Sequence, residues 1–328
     1  MSKQLIECVP NFSEGRDLSI IQRITREIES VEGVKLLDGD PGRATNRTVV
    51  TFVGEPQPVI QAAYLAIKKA AELIDMSQHQ GEHPRMGATD VCPLLPIANI
   101  SMEEVVDYAH QLGKMAGQDL GIPLYMYESA ATSPERRNLA TVRAGEYEAL
   151  PEKLQKPEWK PDYGPARFNP QAGATAIGAR DFLIAYNVNL NTTSVRRANS
   201  VAFDVREKGR LKREGHPLRG KVLTDENGVP ERIPGSCRFV KGIGRNLEEY
   251  GIEQITMNLT NIEVSPLHQV FEECRKSATR RGLRVTGSEL VGLVPLRVML
   301  DAGRYFLLQQ RRSVGVSESE LIKIAVKS

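Results

Sequence analysis

Asp181-Phe182-Leu183-Ile184-Ala185-Tyr186-Asn187-Val188-Asn189-Leu190 is the stretch at which the chain begins a second time. Phe182, Ile184, Tyr186, Val188 and Leu190 share one apolar face, while Asn187 and Asn189 stand on the other. That alternation is the period of a half-buried strand. A helix follows over residues 194–208, then strands over 239–243 and 254–264. In the second of these strands Ile255, Met257 and Leu259 oppose Thr256, Asn258 and Thr260. Leu267, Val270, Phe271, Cys274 and Ala278 form a helical stripe, with Ser265 as its cap, Pro266 in its first turn and Gly282 at its end. Residues from Val285 are extended, and a last helix follows Pro295. The order is β-α-β-β-α-β. Two strands with an apolar face for helices and an uncharged polar face leave two readings open: a wet sheet surface, or one wall of a polar ligand cleft.

The preceding half has the same grammar. Residues 4–9 form a strand, and Ile20, Ile21, Ile24, Ile28 and Val31 keep helical spacing until Gly33. Residues 34–37 and 48–53 are short strands, and Val59, Ile60, Ala63, Ile67, Ala70 and Ile74 mark a second helix. The strand over 91–97 reads as an edge or an irregular strand because of Pro93 and Pro96. Ser101 and Glu104 spell a capping box for a third helix, and residues 123–127 add a strand. Between 151 and 178 proline and glycine recur without either period, which reads as a linker. The expected fold is therefore α+β: two ferredoxin-like α/β subdomains, residues 1–181 and 182–328, with a substrate cleft or tunnel between them. Residues 209–236 form a charged insertion with an Asn227-Gly228 turn signal, expected as a hairpin or loop.

Composition excludes several classes. The 328 residues are 41% hydrophobic and 26% charged, with a net charge of +2, and Lys and Arg form no long blocks. That argues against nucleic-acid binding. No apolar run approaches the roughly 18 residues of a membrane span, and residues 1–7 lack a signal-peptide core. Cys8, Cys92, Cys237 and Cys274 are far apart and make no CxxC, which suits free thiols in a reducing, cytoplasmic setting.

The densest chemistry lies in Gln78-His79-Gln80-Gly81-Glu82-His83-Pro84-Arg85-Met86-Gly87-Ala88-Thr89-Asp90. Pro84 biases His83 toward an extended backbone, so a titratable imidazole sits on a constrained loop between a helix and a strand. A second polar cluster, Leu37 to Arg47, ends a strand and contains Asp40, Asn46 and Arg47. Each of these reads either as a plain connection or as part of a site. His79 and His83 are four apart, but Gly81 and Pro84 oppose the helix a zinc pair needs, so no metal is expected. No phosphate loop, GxSxG elbow or Cys-His neighbour occurs. Acid–base catalysis through His83 is better supported than covalent catalysis.

The motifs Glu7 to Gly15, Thr45 to Val49, Gly81 to Ala88, Arg143 to Leu150 and Leu290 to Leu296, in this order, resemble the glutamate formimidoyltransferase family over nearly the whole chain. The resemblance implies a cytoplasmic homodimer with a substrate tunnel, acting late in histidine breakdown. It implies transfer of the formimino group of N-formimino-L-glutamate to tetrahydrofolate, a co-substrate, with no metal or tightly bound cofactor. It implies that His83 is the catalytic histidine, that Asp40 holds the amidinium, and that Gly164-Pro165-Ala166-Arg167-Phe168-Asn169-Pro170-Gln171-Ala172-Gly173 binds folate. Phe168 would stack on a ring of the folate and Arg167 would meet its carboxylate. Asn46, Arg47, Glu82, Arg85, Asn187 and Asn189 are further candidates for substrate contacts. Arg47, Arg85, Arg180 and Lys241 all compete for substrate carboxylates. The insertion 209–236 is longer than in the animal form. The cyclodeaminase domain fused there is not expected here, which implies a separate cyclodeaminase downstream. Formyl transfer from 5-formyltetrahydrofolate to glutamate, and folate carriage without chemistry, remain open on the sequence.

Overall fold

In the computed structural model, which describes residues 3–43, 45–81, 83–215, 219–247 and 251–314, the chain divides into two units, Met1–Asp181 and Phe182–Ser328. The first contains β1 (Leu5–Cys8), β2 (Asn11–Phe12), α1 (Leu18–Glu29), β3 (Val34–Gly42), β4 (Arg47–Gly54), α2 (Pro56–Leu73), β5 (Thr89–Ala98), α3 (Met102–Leu120) and β6 (Leu124–Glu128). Two one-turn helices, α4 (Leu139–Val142) and α5 (Leu150–Lys153), and β7 (Thr175–Ala179) complete it. Strand pairing runs β3-β4-β1/β2-β5-β7-β6. The first part of this path is antiparallel and is the ferredoxin-like order; β7 and β6 extend it in parallel. The sheet's helical face buries Ile6, Cys8, Val50, Phe52, Cys92 and Leu94 against Ile24 and Ile28 of α1, Ile60 and Ile67 of α2, and Leu112 of α3. Each large side chain so buried contributes roughly 1.5–3 kcal/mol.

Helix ends follow local chemistry. Ser101 and Glu104 form the full capping box at the start of α3, an arrangement worth about 1 kcal/mol. Gly33 and Gly121 adopt positive φ after their helices, where a side chain would be strained.

The second unit comprises β8 (Ile184–Leu190), α6 (Val195–Val205), β9 (Arg210–Leu211), β10 (Arg232–Ile233), β11 (Val240–Leu247), β12 (Ile252–Leu259), α7 (Leu267–Arg280), β13 (Val285–Val291) and α8 (Leu296–Val314). Its antiparallel order β11-β12-β8-β13 is again ferredoxin-like. Tyr186, Val188, Ile255, Met257 and Leu259 pack on Val201, Val205, Val270 and Cys274 of α6 and α7. The charged insertion forms the small β9–β10 pair. Its turn at Asn227-Gly228 is closed by the Asp225 carboxylate, which accepts the Asn227 and Val229 N–H groups.

One local expectation is resolved between its two alternatives, and two are corrected. β5 is a central strand, flanked by β1 and β2 on one side and β7 on the other, and the register shifts of β1 and β2 against it accommodate its irregularity. Pro93 donates nothing but still accepts through its carbonyl, from Val9 N–H at 3.1 Å. Residues 151–178 are not a linker: they hold β7, and Leu154, Ala174 and Ala176 join Tyr125, Tyr127, Val142 and Leu150 in an apolar layer of the first unit. Ser265 does not cap α7; its hydroxyl donates to the Arg238 carbonyl, and Pro266 occupies the cap position.

Candidate active site

The His83 loop is fastened to the first unit at both ends. Before it, Asn46 sits at φ 47°, a left-handed conformation that asparagine tolerates better than most residues. Asn46 accepts the Gly15 N–H and donates to the Gln80 carbonyl. His79 is buried; its Nε2 lies 2.8 Å from the Asn46 carbonyl, and its Nδ1 accepts from Arg85 Nε. After it, Gly87 bridges to Gly173, and the backbone of Ala88 and Ala174 exchanges hydrogen bonds with Ala172 and Met86. A Cβ on Gly87 would stand 2.3 Å from the Ala174 carbonyl oxygen. Only glycine permits that approach.

Between these anchors Arg47, at the start of β4, reaches His83. Its Nη1 is 2.6 Å from His83 Nδ1 and 3.0 Å from Nε2. His83 Nδ1 is also 2.7 Å from the Pro84 carbonyl oxygen. A proton on Nδ1, donated to Pro84, leaves Nε2 as the ring nitrogen that accepts from Arg47, at 3.0 Å. Burial, and then the positive charge of Arg47, push the His83 pKa down from 6.5 to about 4. The imidazole is therefore neutral at physiological pH. Burial also lowers Arg47 to about 10.

Arg47 does not stand alone. Its guanidinium donates to Asn11 Oδ1 and lies 3.4 Å from Asp90 Oδ2. Arg143 Nη2 is 2.7 Å from the same oxygen. The other Asp90 oxygen accepts the Met86 N–H at 2.9 Å. The Asp90 side chain is fully buried, and so joins β4, β5, the His83 loop and the turn after α4.

Asp40 lies on β3 directly opposite Val49, with Gly42 opposite Arg47. Opposed residues share a face, so Asp40 and Arg47 are diagonal neighbours on one side of the sheet, within reach of long side chains. Asp40 is exposed there. Asn11 is the partner of Val49 on the other side of β4 and extends the same row.

The predicted folate run divides in two. Residues 164–167 are exposed, whereas Ala172 and Gly173 are buried against Met86 and Gly87. Phe168 packs on Tyr147, ring centroids 5.4 Å apart, and the Tyr147 hydroxyl donates to the Pro170 carbonyl. Asn169 accepts the Ala172 N–H, and Gln171 donates to the end of α2. Arg85 is held by Glu146 and Glu148 at 3.1 and 2.7 Å. Arg180 donates to the Asp181 carbonyl, and Lys241 lies on β11. Glu82 lies outside the described residues.

Asn187 and Asn189 belong to the second unit. Asn187 donates to Glu289, and Gln254 donates to Asn189 and to Glu289. Asn187 is 9% and Gln254 2% exposed, so this face is not a plain wet surface. The Asn187 Oδ1 and Thr256 Oγ1 atoms are buried without a partner. Among the described residues no group of three or more His, Cys, Asp or Glu side chains is arranged to hold a metal, and no helix is long and apolar enough to cross a membrane.

The structure thus gathers His83, Arg47, Asn46, Arg85 and the 169–173 backbone, and adds Asn11, Asp90 and Arg143, to which the sequence assigned no role. Asp90 offered one signal: a carboxylate at the head of an apolar strand.

Models of known families match both halves: the N-terminal subdomain of the formiminotransferase domain over residues 5–180, and the formiminotransferase domain over 185–328. A formimidoyltransferase-cyclodeaminase of Gallus gallus is 49% identical over 323 residues, and one of Dictyostelium discoideum 46% identical over 324. These alignments take in 98% and 99% of the chain but only 56% of each relative, so the chain spans little more than half their length. A glutamate formimidoyltransferase of Streptococcus pyogenes serotype M1 is 41% identical over 304 residues, 93% of either chain.

Proposed function

The chain belongs to the formiminotransferase family, and on that premise we propose that it moves the formimino group of N-formimino-L-glutamate to N5 of tetrahydrofolate, releasing L-glutamate and 5-formimidoyltetrahydrofolate. The observation that carries this reading is the neutral His83 imidazole held against Arg47. The donor carbon is an amidine, cationic when protonated. N5 is a neutral amine and attacks it directly, so the N5–C bond forms before any proton leaves. The tetrahedral adduct then needs a proton removed from N5 and one supplied to the departing glutamate nitrogen. His83 Nε2, once Arg47 turns from it to a substrate carboxylate, does both in turn. Asp40, on the same sheet face, is placed to hold the amidinium through a charge-assisted hydrogen bond.

A pKa of about 4 makes the free imidazole a weak base. A substrate carboxylate beside Arg47 offsets the charge that depresses it and raises its basicity when the substrate is bound. Asn46, and the end of the 164–173 run, where Ala172 and Gly173 meet Met86 and Gly87, support a folate position next to His83. Family membership supports a place late in histidine breakdown and a cytoplasmic homodimer.

Purified protein is incubated with both substrates, acidified, and read for the 5,10-methenyltetrahydrofolate chromophore. Catalytic turnover is expected. No chromophore, with folate binding intact, would overturn the reading in favour of formyl transfer or carriage.

A further inference from the structure

We propose that Arg143 and Arg47 together hold a carboxylate of the glutamate moiety, an inference that rests on the formimino-transfer reading above. Two guanidiniums meet at one buried carboxylate: Asp90 Oδ2 is 2.7 Å from Arg143 and 3.4 Å from Arg47. With His83 neutral, these four described side chains carry one uncompensated positive charge. Both arginine side chains are 13–14% exposed. Retaining a charge in such a place is costly unless an anion completes it. A second observation points the same way: Arg143 Nε is buried and has no hydrogen-bond partner. A guanidinium offers five donors in a fixed fork suited to carboxylates, and this one keeps an inner donor free beside the catalytic imidazole, whose pKa the Arg143 charge also lowers.

The other cation of the loop is already committed, since Arg85 is held by Glu146 and Glu148. An anion drawn to Arg143 therefore arrives next to His83, which places the amino-acid nitrogen of the donor near the proton it must receive.

The test is calorimetric binding of L-glutamate, its γ-amide and its α-amide to wild type, Arg143→Lys and Arg143→Gln, with thermal melts and steady-state kinetics alongside. Wild type is expected to bind glutamate and to lose affinity for at least one amide. Both variants are expected to weaken glutamate binding and raise the KM for formiminoglutamate on the order of 10- to 100-fold, with folate affinity unchanged. Arg143→Lys keeps the charge on Asp90 and is expected to melt near wild type. Equal wild-type affinity for glutamate and both amides overturns the proposal without any variant. So does a well-folded Arg143→Lys with native glutamate affinity, or equal losses for glutamate and folate. Wild type that binds glutamate in this pattern but yields no transfer product would instead fail the functional reading and leave the carboxylate site standing.

Discussion

Asp90→Asn isolates the charge at the centre of the site. The substitution keeps an oxygen for the Met86 N–H, now 2.9 Å away, and removes the negative charge that two arginines share at 2.7 and 3.4 Å. Breaking a buried ion pair by deleting one partner costs about 3–5 kcal/mol. The retained hydrogen bond places this case near the lower end, roughly 3 kcal/mol. For a folding unit of Met1–Asp181, each kcal/mol moves Tm by roughly 2–4 °C, so a drop of about 6–12 °C is expected. The cost arises from two guanidiniums left without their counter-charge, so Asp90→Asn/Arg143→Gln should lose less than the sum of the single changes, with a coupling of about 0.5–3 kcal/mol. Thermal melts of the four proteins complete the cycle. A Tm within about 2 °C of wild type, or strict additivity, would refute a buried charge cluster as the support of the His83 loop.

Acidification should expose His83 in two ways. Its folded pKa of about 4 lies below the unfolded value of 6.5, so the unfolded state takes up the proton first as pH falls. Stability is therefore present above pH 6.5 and lost down to about 4, by at most about 3 kcal/mol at roughly 1.4 kcal/mol per pH unit. Urea midpoints over this window should flatten in His83→Gln; identical slopes in the two proteins would contradict the assignment. The acid limb of kcat/KM, which reports the free enzyme, should lie below that of kcat, and coincident limbs would rule out the offsetting of Arg47 by substrate. Gly87→Ala drives a Cβ to within 2.3 Å of the Ala174 carbonyl and should cost about 1–3 kcal/mol while lowering kcat through displacement of His83; a melt and a rate equal to wild type would show that the loop tolerates movement there.

Much of the fold is legible because its signals are local. Apolar residues at helical spacing, such as Ile21, Ile24 and Ile28, and the alternation around Tyr186 and Val188 each need only a few neighbouring residues to be read. Pro93 and Pro96 allow either an edge or an irregular strand; β5 is the irregular one, and its central place is decided by its partners β1, β2 and β7. The segment before β7 looks like a linker because its apolar residues obey no period; they fill gaps over Tyr125 and Tyr127 one at a time. The site shows the same division. His83 stands out through its crowded, proline-constrained loop. The Arg143–Asp90 contact joins residues 53 apart in sequence, and no spacing rule marks such a pair.

The central claim is that His83 moves the protons of formimino transfer, and His83→Ala with tetrahydrofolate and N-formimino-L-glutamate tests it most directly. A fall in kcat of about 10²–10⁴, with tetrahydrofolate affinity retained, is the predicted result. Turnover comparable to wild type would contradict it.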